Sequence, residues 1–234
     1  MKRFIIGDIH GNYKGLLQCL NRSKFNMEED TLIILGDICD GYNQVRECID
    51  LLLILNTIFI RGNHDQWFLN YLNSGSILEL WASQGGYATL DSYGISIYDD
   101  TVDFPKSHLD YLNNSKLFYT LEDCLFVHGG IEPQSKVENN RADYILWDRS
   151  LLNNAYHYSK AKNNNYNFVS GYKEVFLGHT TTQQFKTDLP IHACNVWGLD
   201  TGAGWSGKLT IMDFDTKEFW QSDLAKSLYL TGGR

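Results

Sequence analysis

The stretch I-I-G-D-I-H-G, Ile5 to Gly11, closes a short apolar run that begins at Phe4. It reads as a buried strand ending in a tight turn, with the Asp8 carboxylate and the His10 imidazole at its carboxyl end. Residues two apart on an extended strand point the same way, so the two side chains are expected to converge. A carboxylate and an imidazole meeting at one point suit a divalent transition metal. Taken alone, the stretch also fits a helix cap with an incidental histidine, because short motifs often match by chance.

Outward from this stretch the pattern recurs. Asn12 can cap a helix carrying Leu16, Leu17 and Leu20 and ending near Ser23. Thr31 to Leu35 is a second apolar run, and it enters Gly36-Asp37-Ile38-Cys39-Asp40-Gly41 directly. A helix with Val45, Cys48, Ile49, Leu52 and Leu53 follows, with Asn56 and Thr57 expected to break it. Ile58 to Ile60 then leads into Arg61-Gly62-Asn63-His64-Asp65. Near-continuous aliphatic strands alternating with amphipathic helices imply parallel strands covered on both faces. Ligands of such sheets bind at the carboxyl ends of the strands, where all three polar turns lie.

Residues 66 to 120 read as helical and irregular. Helices are expected over Gln66 to Leu72, over Ile77 to Ala82, and from Pro105 to Leu112, with Gly85-Gly86 and Tyr93-Gly94 punctuating a loop. Strands are expected over Leu117 to Leu121, Cys124 to Val127, Glu174 to Leu177, His192 to Val196, Lys208 to Phe214 and Lys217 to Trp220. Asp143 to Trp147 reads as a helix. The late antiparallel strands suggest a second sheet stacked on the first, in one α/β domain over residues 1–234. Asn153 to Asn167, rich in Asn, Tyr and Lys, is expected to form an exposed insertion or cap at about 150–170.

Composition narrows the partners. With a net charge of -8 and no basic run, neither an extended nucleic acid nor an anionic membrane is an expected partner. Five scattered cysteines without a C-x-x-C pair read as buried, reduced thiols of a cytoplasmic protein. The apolar run at the N-terminus stops at Asp8, short of a signal-peptide core. His108, His157 and His192 lie outside every motif and read as surface or packing residues.

Five strand ends now carry metal-type side chains beside glycine: Asp8 and His10; Asp37; Asn63 and His64; His128; His179. These are too many ligands for one catalytic zinc. They suit two metals that share a bridging group, an arrangement that clamps attacking and leaving oxygens at phosphorus.

In content and order, Gly7-Asp8-Ile9-His10-Gly11, Gly36-Asp37-x2-Asp40, Gly62-Asn63-His64-Asp65, His128-Gly129-Gly130 and Gly178-His179-Thr180 resemble the calcineurin-like metallophosphoesterases. Within them the chain resembles the phosphoprotein-phosphatase group of small bacterial and phage serine/threonine phosphatases and symmetrical dinucleoside-tetraphosphatases. Trp81 to Gly94 and Asn195 to Ala203 share the likeness. The resemblance implies a four-layer α/β/β/α sandwich. It implies that Asp8, His10 and a bridging Asp37 hold one divalent metal, and that Asp37, Asn63, His128 and His179 hold the second. Manganese is the expected metal, with iron or zinc also accepted by these ligands. A bridging water would attack phosphorus in line, and His64 would protonate the leaving oxygen with Asp40 orienting its ring. Arg149, with Asn63 and His64, would bind the substrate phosphate.

Two positions depart from the family pattern. Asp65 stands where many relatives have Glu. More consequentially, the family's Asp-Arg-Gly reads Asp40-Gly41-Tyr42 here, so one phosphate-binding arginine is absent. Its absence is expected to weaken binding of monoester dianions and to favour diesters or a differently shaped substrate. Arg46 and Arg61 are the residues that could compensate. The leading expectation is a phosphomonoesterase acting on phosphoserine or phosphothreonine in proteins, and the rival is a dinucleoside-tetraphosphate or other nucleotide pyrophosphohydrolase. A catalytically weak phosphate-binding or regulatory protein is a third reading, opposed by the full ligand set together with His64 and Asp40.

Overall fold

A computed structural model describes residues 1–96, 104–162 and 164–233. Part of the irregular stretch between Gly94 and Pro105, and residue 163 of the Asn-rich segment, lie outside them. The elements run β1 (Arg3–Ile6), α1 (Tyr13–Arg22), β2 (Thr31–Ile34), α2 (Val45–Leu53), β3 (Asn56–Phe59), α3 (Asn63–Ser74), α4 (Glu79–Trp81), α5 (Tyr87–Ser92) and α6 (Lys106–Asn113). They continue with β4 (Phe118–Leu121), β5 (Cys124–Val127), α7 (Ala142–Trp147), α8 (Ser150–Ala161), β6 (Glu174–Leu177), β7 (Ile191–Ala193), β8 (Val196–Gly198), β9 (Thr210–Asp213), β10 (Phe219–Gln221) and α9 (Ala225–Leu228).

The strands form two five-stranded sheets, ordered β10-β9-β1-β2-β3 and β4-β5-β6-β8-β7. β1, β2 and β3 are parallel, with Ile5 beside Ile33 and Ile33 beside Ile58. β9 and β10 extend that sheet antiparallel. In the second sheet β5, β6 and β8 are parallel, and β4 and β7 are antiparallel edges.

Alternation of side chains explains why the central strands are apolar throughout. Phe4 and Ile6 of β1 and Leu32 and Ile34 of β2 pack with Leu16, Ile49 and Phe68 of the helices. Ile5 and Ile33 turn the other way, onto Phe126, Phe176 and Met212 between the sheets. Leu125, Val127, Val175 and Leu177 of the second sheet face outward onto Leu151 and Leu152 of α8. Helices, two sheets and helices thus form four layers, as the resemblance implied, because each central strand buries both faces.

Local departures have identifiable causes. Asn56 and Thr57 open β3 rather than preceding it. His192 to Val196 is not one strand but the turn of a β7–β8 hairpin, with Cys194 left-handed at φ 57. The turn lacks Gly and Pro and is held instead by Asn195, whose amide group donates to Val169 O and Tyr172 O and accepts from Val169 N. Gly85-Gly86 lies within a helical run linking α4 to α5, broken in conformation at Gln84 and Gly85. The Asn-rich segment begins within α8, which buries Leu151, Leu152 and Ala155. Its apolar face is narrow and hidden among polar neighbours. Among the described residues no helix is long and apolar enough to cross a membrane.

Phe176 is the central ring between the sheets, stacked at 5.0 Å on Phe126 and at 6.3 Å on Trp197. Phe176→Ala is expected to lower unfolding free energy by about 3–5 kcal/mol. Urea denaturation followed by tryptophan fluorescence measures it.

Candidate metal centre

The polar turns gather at one end of both sheets. Asp8 and Asp37 follow β1 and β2, and His128 and His179 follow β5 and β6. Asn63 and His64 open α3 rather than ending a strand. His10, Asp37, Asp40 and His179 all have positive φ, at 52, 48, 70 and 61°. Non-glycine residues rarely adopt that conformation, and they concentrate at functional sites. Asp8 and His10 lie beyond the end of β1, so a sharp turn brings them together and the pleat of an extended strand does not.

Asp8, His10 and Asp37 form one buried group that could hold a metal ion, and Asp37, His128 and His179 form another, the ligand atoms of each lying within 4.8 Å of one another. Asp37 belongs to both. His10 Nε2 is 3.6 Å and His128 Nε2 3.3 Å from Asp37 Oδ2. Asn63 Oδ1 is 3.0 Å from His128 Nε2. The imidazoles are oriented from behind by carbonyls: Cys39 O lies 2.9 Å from His10 Nδ1, Leu35 O 2.6 Å from His128 Nδ1, and Trp147 O 3.1 Å from His179 Nε2. A carbonyl only accepts, so each of these nitrogens carries the proton. In the neutral ring the opposite nitrogen then offers its lone pair, as in metal-binding histidines generally. Asp37 Oδ2 is buried without a hydrogen bond of good geometry among the described residues. A divalent cation held there would satisfy it, and the carboxylate, amide and imidazole donors suit manganese, iron or zinc.

Asp65, whose part in the site the sequence did not disclose, organises this turn. It sits at the third position of α3, and its carboxylate reaches back to the Gly62 N–H at 2.8 Å. The same carboxylate accepts from Asp37 N at 2.8 Å, Ile38 N at 2.9 Å and Cys39 N at 3.2 Å. A Cβ at Gly62 would collide with the Asp37 carboxylate, so only glycine fits where α3 begins.

His64 Nδ1 lies 2.6 Å from Asp40 Oδ2, and His64 N donates to Asp37 Oδ1 at 2.9 Å. The Asp40 carboxylate is further held by Trp81 Nε1 at 2.9 Å and Thr89 Oγ1 at 2.6 Å. Trp81 and Thr89 both lie in the stretch Trp81 to Gly94, whose spacing gives no sign that it grips Asp40. Burial pushes the Asp40 carboxyl up. In Asp37 burial acts the same way, but His128, His64 and His10 outweigh it and hold the carboxyl well below the usual range.

Asn63, His64, His179 and Arg149 line a cleft of about 240 Å³ together with Trp67, Trp147 and Trp205. Arg149 is anchored to His179 O at 2.8 Å. Among the described residues none from 150 to 170 lines this cleft. Arg61 is tied to Ser115 Oγ, Gln66 Oε1 and Asn113 O, and Arg46 is exposed on α2; neither lines the cleft to replace the missing arginine. At Gly41 itself φ is +91°, a conformation that strains any L side chain. The neighbouring Tyr42 stacks on Tyr229 at 4.3 Å, and Gly233 N donates to Gly41 O at 3.1 Å. The C-terminal segment therefore packs against this turn, which carries an arginine in the family pattern.

The family model of calcineurin-like phosphoesterases matches residues 1–205, and the chain belongs to that family. It is an enzyme of the phosphoric ester hydrolase type. It is 24% identical to serine/threonine-protein phosphatase 1 of Salmonella typhimurium, over 89% of this chain and 89% of that protein. It is 27% identical to the symmetrical bis(5'-nucleosyl)-tetraphosphatase of Erwinia tasmaniensis over 61% of this chain, covering 49% of that protein. A metallophosphoesterase structure from Sphaerobacter thermophilus shares the fold, with a TM-score of 0.56 and 16% identity, over 96% of this chain and 89% of that one.

Two tests follow from the geometry. Asp65→Ala strands four buried N–H groups and is expected to cost roughly 4 kcal/mol or more. Denaturation, with manganese content by mass spectrometry falling below two ions per chain, measures both consequences. The second concerns protons. Burial disfavours charge on His128, but Asp37 outweighs it and the imidazole is pushed up to about 9. His179 is pushed down to about 2, by burial and then by His128 and Arg149. His128 must lose a proton to bind a cation, so affinity for Mn²⁺ should rise with pH between 6 and 8. Calorimetric titration in buffers of differing ionisation enthalpy reads that proton.

Proposed function

We propose that the protein is a dinuclear-metal phosphomonoesterase whose substrates are phosphoserine and phosphothreonine residues of proteins, working with manganese in the cytoplasm. The observation that carries this reading is the Asp37 carboxylate common to two potential metal groups, with His64, backed by Asp40, lining the cleft that His179 and Asn63 also line. Two divalent cations, when bound, supply a water nucleophile at neutral pH and offset the charge of the phosphate.

The chain's own residues do the rest. The Arg149 guanidinium and the Asn63 amide position the phosphate oxygens. His64 delivers its proton to the leaving oxygen, and the Asp40 carboxylate, fixed by Trp81 and Thr89, holds the ring at the angle and tautomer required. The cleft, at about 240 Å³, is smaller than the ~300–1,000 Å³ that encloses a drug-sized ligand. This favours one phosphate and its immediate ester group over a dinucleotide chain. The likeness to a symmetrical tetraphosphatase keeps dinucleoside tetraphosphates as the rival substrate, and both reactions draw on the same ligands.

Chelator-treated protein reloaded with Mn²⁺ is expected to hydrolyse p-nitrophenyl phosphate and a phosphopeptide faster than a diester or diadenosine tetraphosphate. Preference for the tetraphosphate contradicts the substrate assignment, and no turnover by metal-loaded protein contradicts the reaction. His64→Asn should retain both metals and lower kcat by about 10²–10⁴, most for poor leaving groups. Loss of metal in that variant would make His64 a ligand instead.

A further inference from the structure

We propose that Gln84 is a specificity residue of this site, its side-chain amide pairing with the peptide group next to the phosphorylated residue. The site then prefers a phosphoserine or phosphothreonine within a chain to a small alkyl phosphate. The proposal rests on the phosphomonoesterase reading and adds to it the contact by which a peptide is told from other esters.

Gln84 belongs to a run tied on both sides to the Asp40 carboxylate. Trp81 Nε1 donates to Asp40 Oδ1 and Oδ2 at 3.0 and 2.9 Å, and Thr89 Oγ1 donates to Oδ1 at 2.6 Å. Between these anchors the backbone leaves helical geometry, at Gln84 with φ -100° and ψ 23° and at Gly85 with φ 99°. Leu80 and Gln84 both line the cleft with His64 and Arg149. Gln84 is half-buried, and its side chain makes no hydrogen bond among the described residues. The other polar side chains of the cleft, indoles aside, are engaged. Asn63 is held to His128, His64 to Asp40, Arg149 to His179 O, His179 to Trp147 O, Thr181 to Gln183 N and Asp200 to Gly202 N.

The position of His64 decides what reaches this amide. Its proton goes to the leaving oxygen, so the group on that oxygen leaves the cleft beside His64. Asp40 holds the His64 ring, and the run that carries Leu80 and Gln84 holds Asp40, so both residues stand on the leaving-group side. In phosphoserine the main chain begins one methylene beyond the leaving oxygen. A carboxamide sets an acceptor oxygen beside donor N–H groups, the complement of the N–H and C=O of a peptide chain. Leu80, 55% exposed, forms an apolar stretch of the same wall, and hydrogen bonds sheltered from water are stronger. An alkyl phosphate has nothing to offer the amide. An adenine edge also matches a glutamine amide, but in a nucleotide it lies a ribose away from the phosphate, too far for a cleft of about 240 Å³.

The test compares a phosphoserine peptide with ethyl phosphate, using Mn²⁺-loaded wild type, Gln84→Met and Gln84→Asn. The readout is the ratio of kcat/KM for the two substrates. Both leaving groups are aliphatic oxygens that need the His64 proton, so any loosening of Asp40 slows both and cancels in the ratio. Gln84→Met keeps the length of the side chain without its hydrogen bonds. It is expected to lower the peptide preference about tenfold, mainly by raising KM for the peptide. Gln84→Asn, which keeps both groups on a shorter stem, should recover part of that loss. An unchanged ratio in Gln84→Met overturns the proposal. So does an equal fall for adenosine monophosphate relative to ethyl phosphate, which assigns the amide to a base edge. Turnover of neither substrate by the wild type overturns the phosphomonoesterase reading itself, an outcome distinct from turnover of both with an insensitive ratio.

Discussion

The Asp65 carboxylate, buried beneath the start of α3, accepts the N–H groups of Gly62, Asp37, Ile38 and Cys39. Removing an ionised carboxylate from water is costly unless its oxygens are fully engaged, and four donors engage these. The same bonds lock the turn after β2 to the first residues of α3. Asp37, Asn63 and His64 therefore behave as one rigid piece, cross-tied again by the His64 N–H on Asp37 Oδ1. Burial and the adjacent Asp37 push Asp65 up to about 6.

That piece belongs to the first sheet, and the centre is completed by the second. Leu35 O, at the end of the first sheet, faces His128 Nδ1 of the second. His179 N, of the second sheet, donates to both oxygens of Asp8, of the first, at 3.1 and 3.0 Å. The centre is thus a seam where two stacked sheets end at one level. The inter-sheet layer of Phe126, Phe176 and Met212 sets that level by keeping the sheets in fixed contact. Helices on the outer faces make the strands two-sided and apolar, and the polar residues are left to the strand ends.

Much of this was legible in the sequence, and the parts that were not share a physical cause. Alternating aliphatic runs and helices disclosed the first sheet because both faces of β1 and β2 are buried, which leaves a continuous apolar signal. The gathering of Asp8, His10, Asp37, Asn63, His128 and His179 was legible because each stands beside a glycine at an element end. How they gather was not. Four residues of the site have positive φ, and that conformation is imposed by tertiary bonds such as those to Asp65 rather than by local preference. The β7–β8 hairpin was missed for the same reason: Asn195 bonds to Val169 and Tyr172, distant in sequence, in place of a Gly-containing turn. Helix α8 was obscured because only Ala155 of its three buried apolar residues lies in the Asn-rich, Tyr-rich stretch that forms most of it.

The central claim is that Asp37 is shared by two metal ions. Anomalous diffraction from crystals soaked in Mn²⁺ tests it most directly. The account predicts two manganese peaks roughly 3.5–4 Å apart, each within bonding distance of the Asp37 carboxylate. A single peak, or two peaks of which only one touches Asp37, would contradict it.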